Sequence, residues 1–189
     1  MRSPAAKPFD PVVSPLFLYA IHEELRQYSG KRVGSPRPCP NCGDENRRKN
    51  GYQNAPKTFA RLVTESGIET VGVDVQQYEC TNCSRSYQGD LSEHFYEGCA
   101  YAKPIVDLCR FHALDHSPSE CERVLRRRYG LQVNRDTVER YAERFPEPED
   151  RHAIDIAGHT YSLDFLSHLF GEGDGDEPAF VIKRFRAIW

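Results

Sequence analysis

Four cysteines fall in two pairs with the same spacing, Cys39-Pro40-Asn41-Cys42 and Cys80-Thr81-Asn82-Cys83. Two Cys-x-x-Cys pairs supply four thiolates, the shell preferred by a structural Zn2+ with no coordination position left open for a substrate. The chemistry expected is that of a staple, not of a catalyst, and no catalytic residue is assigned. Pro40 and Gly43 suit the tight turn that points backbone N–H groups at the first pair, and Asn82 tolerates left-handed geometry in the second. A redox couple would instead sit at the start of a helix in a βαβ pattern, a context neither pair has. Cys109 and Cys121 fall at apolar positions of predicted helices and read as buried thiols, while Cys99 with His94 makes a poorer second ligand combination.

The pairs need elements to bring them together. Between them, Thr58 to Thr64 and Ile68 to Tyr78 are rich in β-branched and aromatic residues, and Val71, Val73 and Val75 alternate as a half-buried strand does. Ser66-Gly67 marks the turn. The expectation for residues 31–90 is a small β zinc ribbon, too small to bury much apolar surface, so that metal binding supplies much of its folding free energy. Tyr52, Tyr78 and Tyr87 then pack around the knuckles, base stacking being the alternative.

Upstream, residues 1–30 form an extension and one amphipathic helix. Ser14-Pro15 has the form of a helix start, Leu18, Ile21, Leu25 and Tyr28 recur at helical spacing, and Gly30 closes the segment. Packing on the later helices would cover the apolar stripe; a homodimer would too.

Residues 91–146 read as three helices. Lys103-Pro104 opens the first, with Ile105, Leu108, Cys109 and His112 on one face. Ser117-Pro118-Ser119-Glu120 is a capping box for the second, which carries Cys121, Val124 and Leu125 inward and stops at Gly130. Leu131 and Val133 seat the turn, Asn134 caps the third helix, and Val138, Tyr141, Ala142 and Phe145 form its buried stripe. A tight glycine turn between the last two helices is the layout of a helix-turn-helix unit, whose last helix enters the major groove. On that layout Arg135 and Thr137 are placed for base edges, Arg140 for a base or a phosphate and Arg144 farther along the same helix. Arg126, Arg127 and Arg128 end the preceding helix, where they also complement its dipole.

Charge agrees with a nucleic-acid partner locally but not in sum. The 189 residues carry a net charge of −3. Yet Lys31, Arg32, Arg37, Arg47, Arg48, Lys49, Lys57 and Arg61 are met within their stretch only by Asp44 and Glu45, and the acidic residues gather after Thr64 and again after Glu147. Arg47, Arg48 and Lys49, beside the first knuckle, are expected to touch phosphates. No apolar run approaches the ~18 residues of a membrane span. With no secretory signal and with cysteines at metal spacing, the expected location is the cytoplasm, beside the nucleoid.

In order, these features resemble the N-terminal region of insertion-sequence transposases, a zinc ribbon and helix-turn-helix ahead of a catalytic domain. The resemblance rests on Cys39-Pro-Asn-Cys-Gly43, Tyr78-Glu-Cys-Thr-Asn-Cys83 followed by Tyr87, and Gly130-Leu-Gln-Val-Asn-Arg-Asp-Thr-Val-Glu-Arg-Tyr141. The long interval between the knuckles, filled by an acidic strand, departs from it. In residues 147–189, an acidic linker leads to a stretch from His152 to Leu166, followed by Ala179 to Phe185, that is similar to an inner strand pair and following helix of the RNase H-like catalytic domain of those enzymes. That chemistry needs three separated carboxylates around two metals, and Asp155 and Asp164 read as strand-edge or turn residues instead. Glu172-Gly-Asp-Gly-Asp-Glu177 reads as an acidic loop without the bidentate Glu of a calcium site.

The expectation is thus an α+β chain: ribbon, three-helix helix-turn-helix domain and a short mixed tail. It is a sequence-specific binder of double-stranded DNA resembling a truncated transposase without a complete catalytic domain. A stand-alone transcription regulator with the same contacts and a protein-docking adaptor are the alternatives.

Overall fold

One long strand organises the molecule in the computed structural model, which describes residues 15–114 and 116–145 and the strands 153–156 and 159–162. This strand, β4 (Gly67–Cys80), follows α1 (Pro15–Arg26), β1 (Arg32–Val33), β2 (Arg47–Tyr52) and β3 (Lys57–Thr64), and precedes β5 (Ser86–Gln88). Three helices come next, α2 (Lys103–Ala113), α3 (Pro118–Tyr129) and α4 (Arg135–Arg144), then the strands β6 (Ala153–Ile156) and β7 (His159–Ser162). The class is α+β, with a mixed sheet and four helices among the described residues. None of these helices is long and apolar enough to cross a membrane.

β4 serves two partners in succession because it is longer than either. Its first half pairs antiparallel with β3, from Thr64 opposite Gly67 to Lys57 opposite Val73. Its second half lies between β2 and β5, with Arg47 opposite Cys80 and Tyr78 opposite Tyr87. β1 joins in parallel beside Asp74 and Val75. The expected alternation holds: Val71, Val73 and Val75 are all fully buried on one face. β2 is different. Its Arg-Arg-Lys-Asn-Gly-Tyr sequence has no apolar alternation and is almost wholly exposed, so pairing to β4, and not burial, defines it.

The main core spans the boundary expected at residue 90. Tyr28, Phe59 and Val73 from the first half of the chain share one buried cluster with Phe95, Ile105, Leu125, Val138 and Tyr141 from the second. Phe59 stacks on Tyr28 at 4.0 Å between ring centroids and meets Phe95 edge-on. Among the described residues a separate cluster stands at the knuckle end, made of Tyr78, Tyr87 and cysteines. The division into residues 31–90 and 91–146 is therefore one of secondary structure and not of core packing, because β3 and the first half of β4 lie against the helices.

The helix signals act as their chemistry dictates. α2 buries Ile105, Leu108, Cys109 and His112. At the start of α3 the Ser117 hydroxyl accepts from the Glu120 N–H, and the Ser117 N–H donates to the Glu120 carboxylate. Gly130 ends it at φ 61°, and Asn134 caps α4 by accepting from the Thr137 N–H at 2.9 Å. Val124 and Phe145, expected inside, are only partly buried. The turn itself is held by the sheet: the Val63 N–H donates to the Gly130 carbonyl and the Gln132 N–H to that of Arg61, placing Leu131 opposite Leu62 as an extra strand position.

α1 covers the other side of that turn. Leu18 and His22 lie against Gly130, leaving no room for a Cβ there. Arg26 grips Glu69 of β4 with two nitrogens, at 3.0 and 2.7 Å, and Glu23 with a third. In the tail, β6 and β7 pair as an antiparallel hairpin that sets Asp155 opposite Thr160. The lead before Pro15, Asp164, the acidic linker and the loop from Glu172 to Glu177 lie outside the described residues.

Candidate metal centre

Two turns of the same construction face each other. In the first, the Cys39 N–H donates to the Asp44 carbonyl and the Gly43 N–H to the Cys39 carbonyl. In the second, the Cys80 N–H donates to the Arg85 carbonyl and the Ser84 N–H to the Cys80 carbonyl. Each turn needs a left-handed residue just after its second cysteine: Gly43 at φ 74° and Ser84 at φ 56°. That role falls to Ser84 and not, as expected, to Asn82, whose side-chain amide instead lies 3.9 Å from the Cys42 sulfur. Ser84 is the only non-glycine residue with positive φ among those described.

The first knuckle precedes β2 and the second closes β4, so the pairing of Arg47 with Cys80 carries one knuckle against the other. All four sulfurs, of Cys39, Cys42, Cys80 and Cys83, lie within 4.8 Å of one another. The contacts across the knuckles, Cys39 to Cys83 and Cys42 to Cys80, are both 3.6 Å. A tetrahedral ion with metal–sulfur bonds of about 2.3 Å sets its sulfurs about 3.8 Å apart, so this set fits one metal ion with little adjustment.

The surroundings of Cys83 and Cys42 shift these two thiols in opposite directions. The Arg85 backbone N–H, with neighbouring donors, pulls Cys83 down to about 6. The Asp44 N–H acts in the same direction on Cys42, but burial and the three other sulfurs outweigh it and hold that thiol at about 12. Bringing four sulfurs this close is costly unless a cation takes the charge they develop, which is what a bound ion supplies. Tyr78 and Tyr87, 6.1 Å apart, close the inner side of the cluster, as expected. Tyr52 lies farther out, beneath the Arg32 guanidinium.

The other cysteines are structural. Cys109 and Cys121 are fully buried, and burial pushes both thiols well up. Cys99 is buried too, while the His94 ring packs edge-on against Tyr28 and Phe59. Among the described residues the four knuckle cysteines are the only group placed to share an ion.

The cations expected at a DNA surface occupy several environments. Beside the knuckle, Arg48 is paired with Glu79 at 2.7 Å, Arg47 donates to the Glu45 carbonyl, and Lys49 is exposed. At the end of α3, Arg126 donates to the Gln132 side chain, Arg127 is exposed and Arg128 partly so. On α4 the Arg135 guanidinium bonds Asp136, its backbone N–H donates to Glu122, and Thr137 is partly buried. Arg140 and Arg144 are exposed and lie over the rings of Tyr141 and Phe145.

Sequence reasoning missed the backbone donors at Asp44 and Arg85, whose side chains give no hint of the role. A signal was present in the repeated register of the two knuckles, where a small residue follows the second cysteine each time. Compared with family models, curated proteins and solved structures, the chain matches none.

Proposed function

We propose that the protein binds double-stranded DNA in a sequence-specific manner, with one structural Zn2+ stapling the knuckle end of its sheet, in the way the DNA-reading half of an insertion-sequence transposase does. Zinc is the ion of choice for a closed shell of four thiolates in a turn-rich setting, since it is redox-inert and tetrahedral. No catalytic role belongs to this reading.

The observation that supports it most is the α3–turn–α4 unit. Gly130 turns the chain sharply, Val138 and Tyr141 hold α4 by its inner face, and Arg135, Arg140 and Arg144 are left on its outer face. In a helix-turn-helix the N-terminal part of such a helix meets base edges while the helix before it touches phosphates. Arg135 and Thr137 take the first role, Arg126, Arg127 and Arg128 the second, and Arg47, Arg48 and Lys49 extend the contact toward the knuckle. Selection of bound duplexes from a random pool, with zinc measured on the same preparation, tests this. The expected result is an enriched motif, one zinc per chain, and relaxed preference in Arg135→Ala at a cost of about 1–3 kcal/mol. A pool recovered without enrichment at low ionic strength contradicts it.

One observation favours a second reading, a protein-docking adaptor. Asp136, Glu139 and Glu143 interleave with the three arginines, leaving α4 with no net positive charge. An adaptor predicts no loss of duplex binding in Arg135→Ala or Arg140→Ala.

A further inference from the structure

The two ends of α4 differ in what their cations already do. At the N-terminal end Arg135 is tied to Asp136, with the Glu122 carboxylate beside it. At the C-terminal end Arg140 and Arg144, one turn apart, enter no ion pair among the described residues, and neither do Lys103 and Lys57 nearby. Lys57, Arg144 and Lys103 meet at the loop that joins the sheet to α2, and Arg140 lies over Tyr141, whose hydroxyl accepts from the Ala100 N–H of that loop. Lys57 donates to the Cys99 carbonyl at 2.8 Å and lies over Phe95. The Arg144 guanidinium rests on Gly98, where a Cβ would come within 2.7 Å of it. Lys103 lies over the Tyr96 ring, which contacts Phe145 at 5.0 Å, and Arg144 covers Phe145 from its own side. Burial raises the Cys99 thiol, and the opposing pull on it comes from Arg144, Lys57 and Arg140, as expected of cations gathered around one loop.

Unpaired cations held close together repel one another, so their clustering is uphill unless an anion joins them. The charge of Lys103 reaches Asp90 and Asp107, but among the described residues no local acid makes a direct ion pair with any of the four. Asp107 is engaged by the Tyr96 hydroxyl and by Arg110, and the exposed Glu97 and Glu143 pair with none of the four cations. Helix-dipole compensation accounts for one arginine in the last turn of α4 but not for Lys103 or Lys57, which belong to other elements. The cations are strung along a helix and the adjoining loop, an arrangement that suits a repeating anion.

We infer that Lys103, Arg140 and Arg144 seat the phosphate backbone of nucleic acid at the C-terminal end of α4, on a floor formed by Tyr96 and Phe145. The inference rests on the DNA-binding reading above and extends it. The C-terminal half of α4 anchors the strand without reading it, Lys57 pins the loop from beneath, and base readout is confined to the first turn.

The test is a fluorescence-anisotropy titration of full-length, metal-loaded protein with a mixed-sequence duplex over a range of salt concentrations. Arg140→Gln, Arg144→Gln and Lys103→Gln are each expected to flatten the slope of log affinity against log salt by about 0.9, the value of one lost phosphate contact. Arg144→Lys keeps the charge and is expected to keep the slope, which separates phosphate contact from a merely structural role. Arg123→Gln, on the exposed face of α3, is expected to leave the slope alone. Thermal melts establish that each variant is folded. If wild-type protein binds and the three glutamine variants keep its slope, the seat is wrong while the DNA-binding reading stands. If inorganic phosphate competes beyond its ionic-strength effect, the seat takes a free anion and the inference also falls. If wild-type protein binds no duplex at all, both readings fall together.

Discussion

Gly43 and Ser84 occupy equivalent places in the two knuckles, yet only one of them is a glycine. A side chain in left-handed geometry costs roughly 1–2 kcal/mol, and at Gly43 nothing else opposes a Cβ, since no atom lies within 4 Å of where it would sit. Gly43→Ala is therefore expected to destabilise the metal-loaded protein by about that much. Ser84→Gly should stabilise it by about 0.5 kcal/mol, the strain relieved less the extra freedom of an unfolded glycine. Chemical denaturation of the two variants checks both signs. The four clustered cysteines were legible because each pair is local in the chain, so spacing alone implies geometry. Ser84 was not: Asn82 has the better left-handed propensity, and the turn's hydrogen bonds, not propensity, decide which residue takes that conformation. The same limit applies to the arginines, since the sequence gives Arg48 and Arg140 the same charge while only Arg48 has found a carboxylate.

At the scale of elements, α2 and α3 are joined through a buried polar contact that carries a pH signature. His112 lies within 2.9 Å of the Tyr129 hydroxyl, with His116 stacked nearby and Phe111 at its edge. Desolvation, with the charges of His116 and Arg128 adding to it, lowers its pKa from 6.5 to about 4. The native state thus holds this ring neutral at pH values where the unfolded chain protonates it. Its contribution is complete above about pH 6.5 and is lost as pH falls toward 4, amounting to about 3 kcal/mol at the acid end. His112→Gln can still bond Tyr129 and does not titrate, so its urea-derived stability should fall less steeply over that window than that of the wild type. The helices themselves were readable because caps and stripes are local: the box at Ser117, the stop at Gly130 and the cap at Asn134 all stand where the sequence placed them. β2 was not, because Arg47 to Tyr52 has no strand periodicity and owes its conformation to the partner that the knuckles bring beside it. The loop before α2 was equally opaque, its cations being gathered by packing between distant segments.

Taken whole, the molecule has two unequal centres on one strand. The first half of β4 lies in a core that α1, β3 and three helices share, whereas its last residues have only two tyrosines and the cysteines around them. A division at residue 90 could be expected from the change of periodicity there, but tertiary burial joins what periodicity separates, and the weak point of the fold lies within β4. The large core has enough apolar surface to hold without help, while the knuckle end does not. Metal removal should therefore act on part of the molecule first, in the manner of a local unfolding unit. Amide hydrogen exchange on zinc-loaded protein, before and after a strong chelator, tests the stapled sheet most directly. Protection should be lost around both knuckles, in β2, in β5 and in β4 beyond Gln76, and should persist in β3, α2, α3 and α4. Knuckle amides that stay protected after the ion has been removed, or purified protein with protected knuckles and no bound zinc, would contradict it.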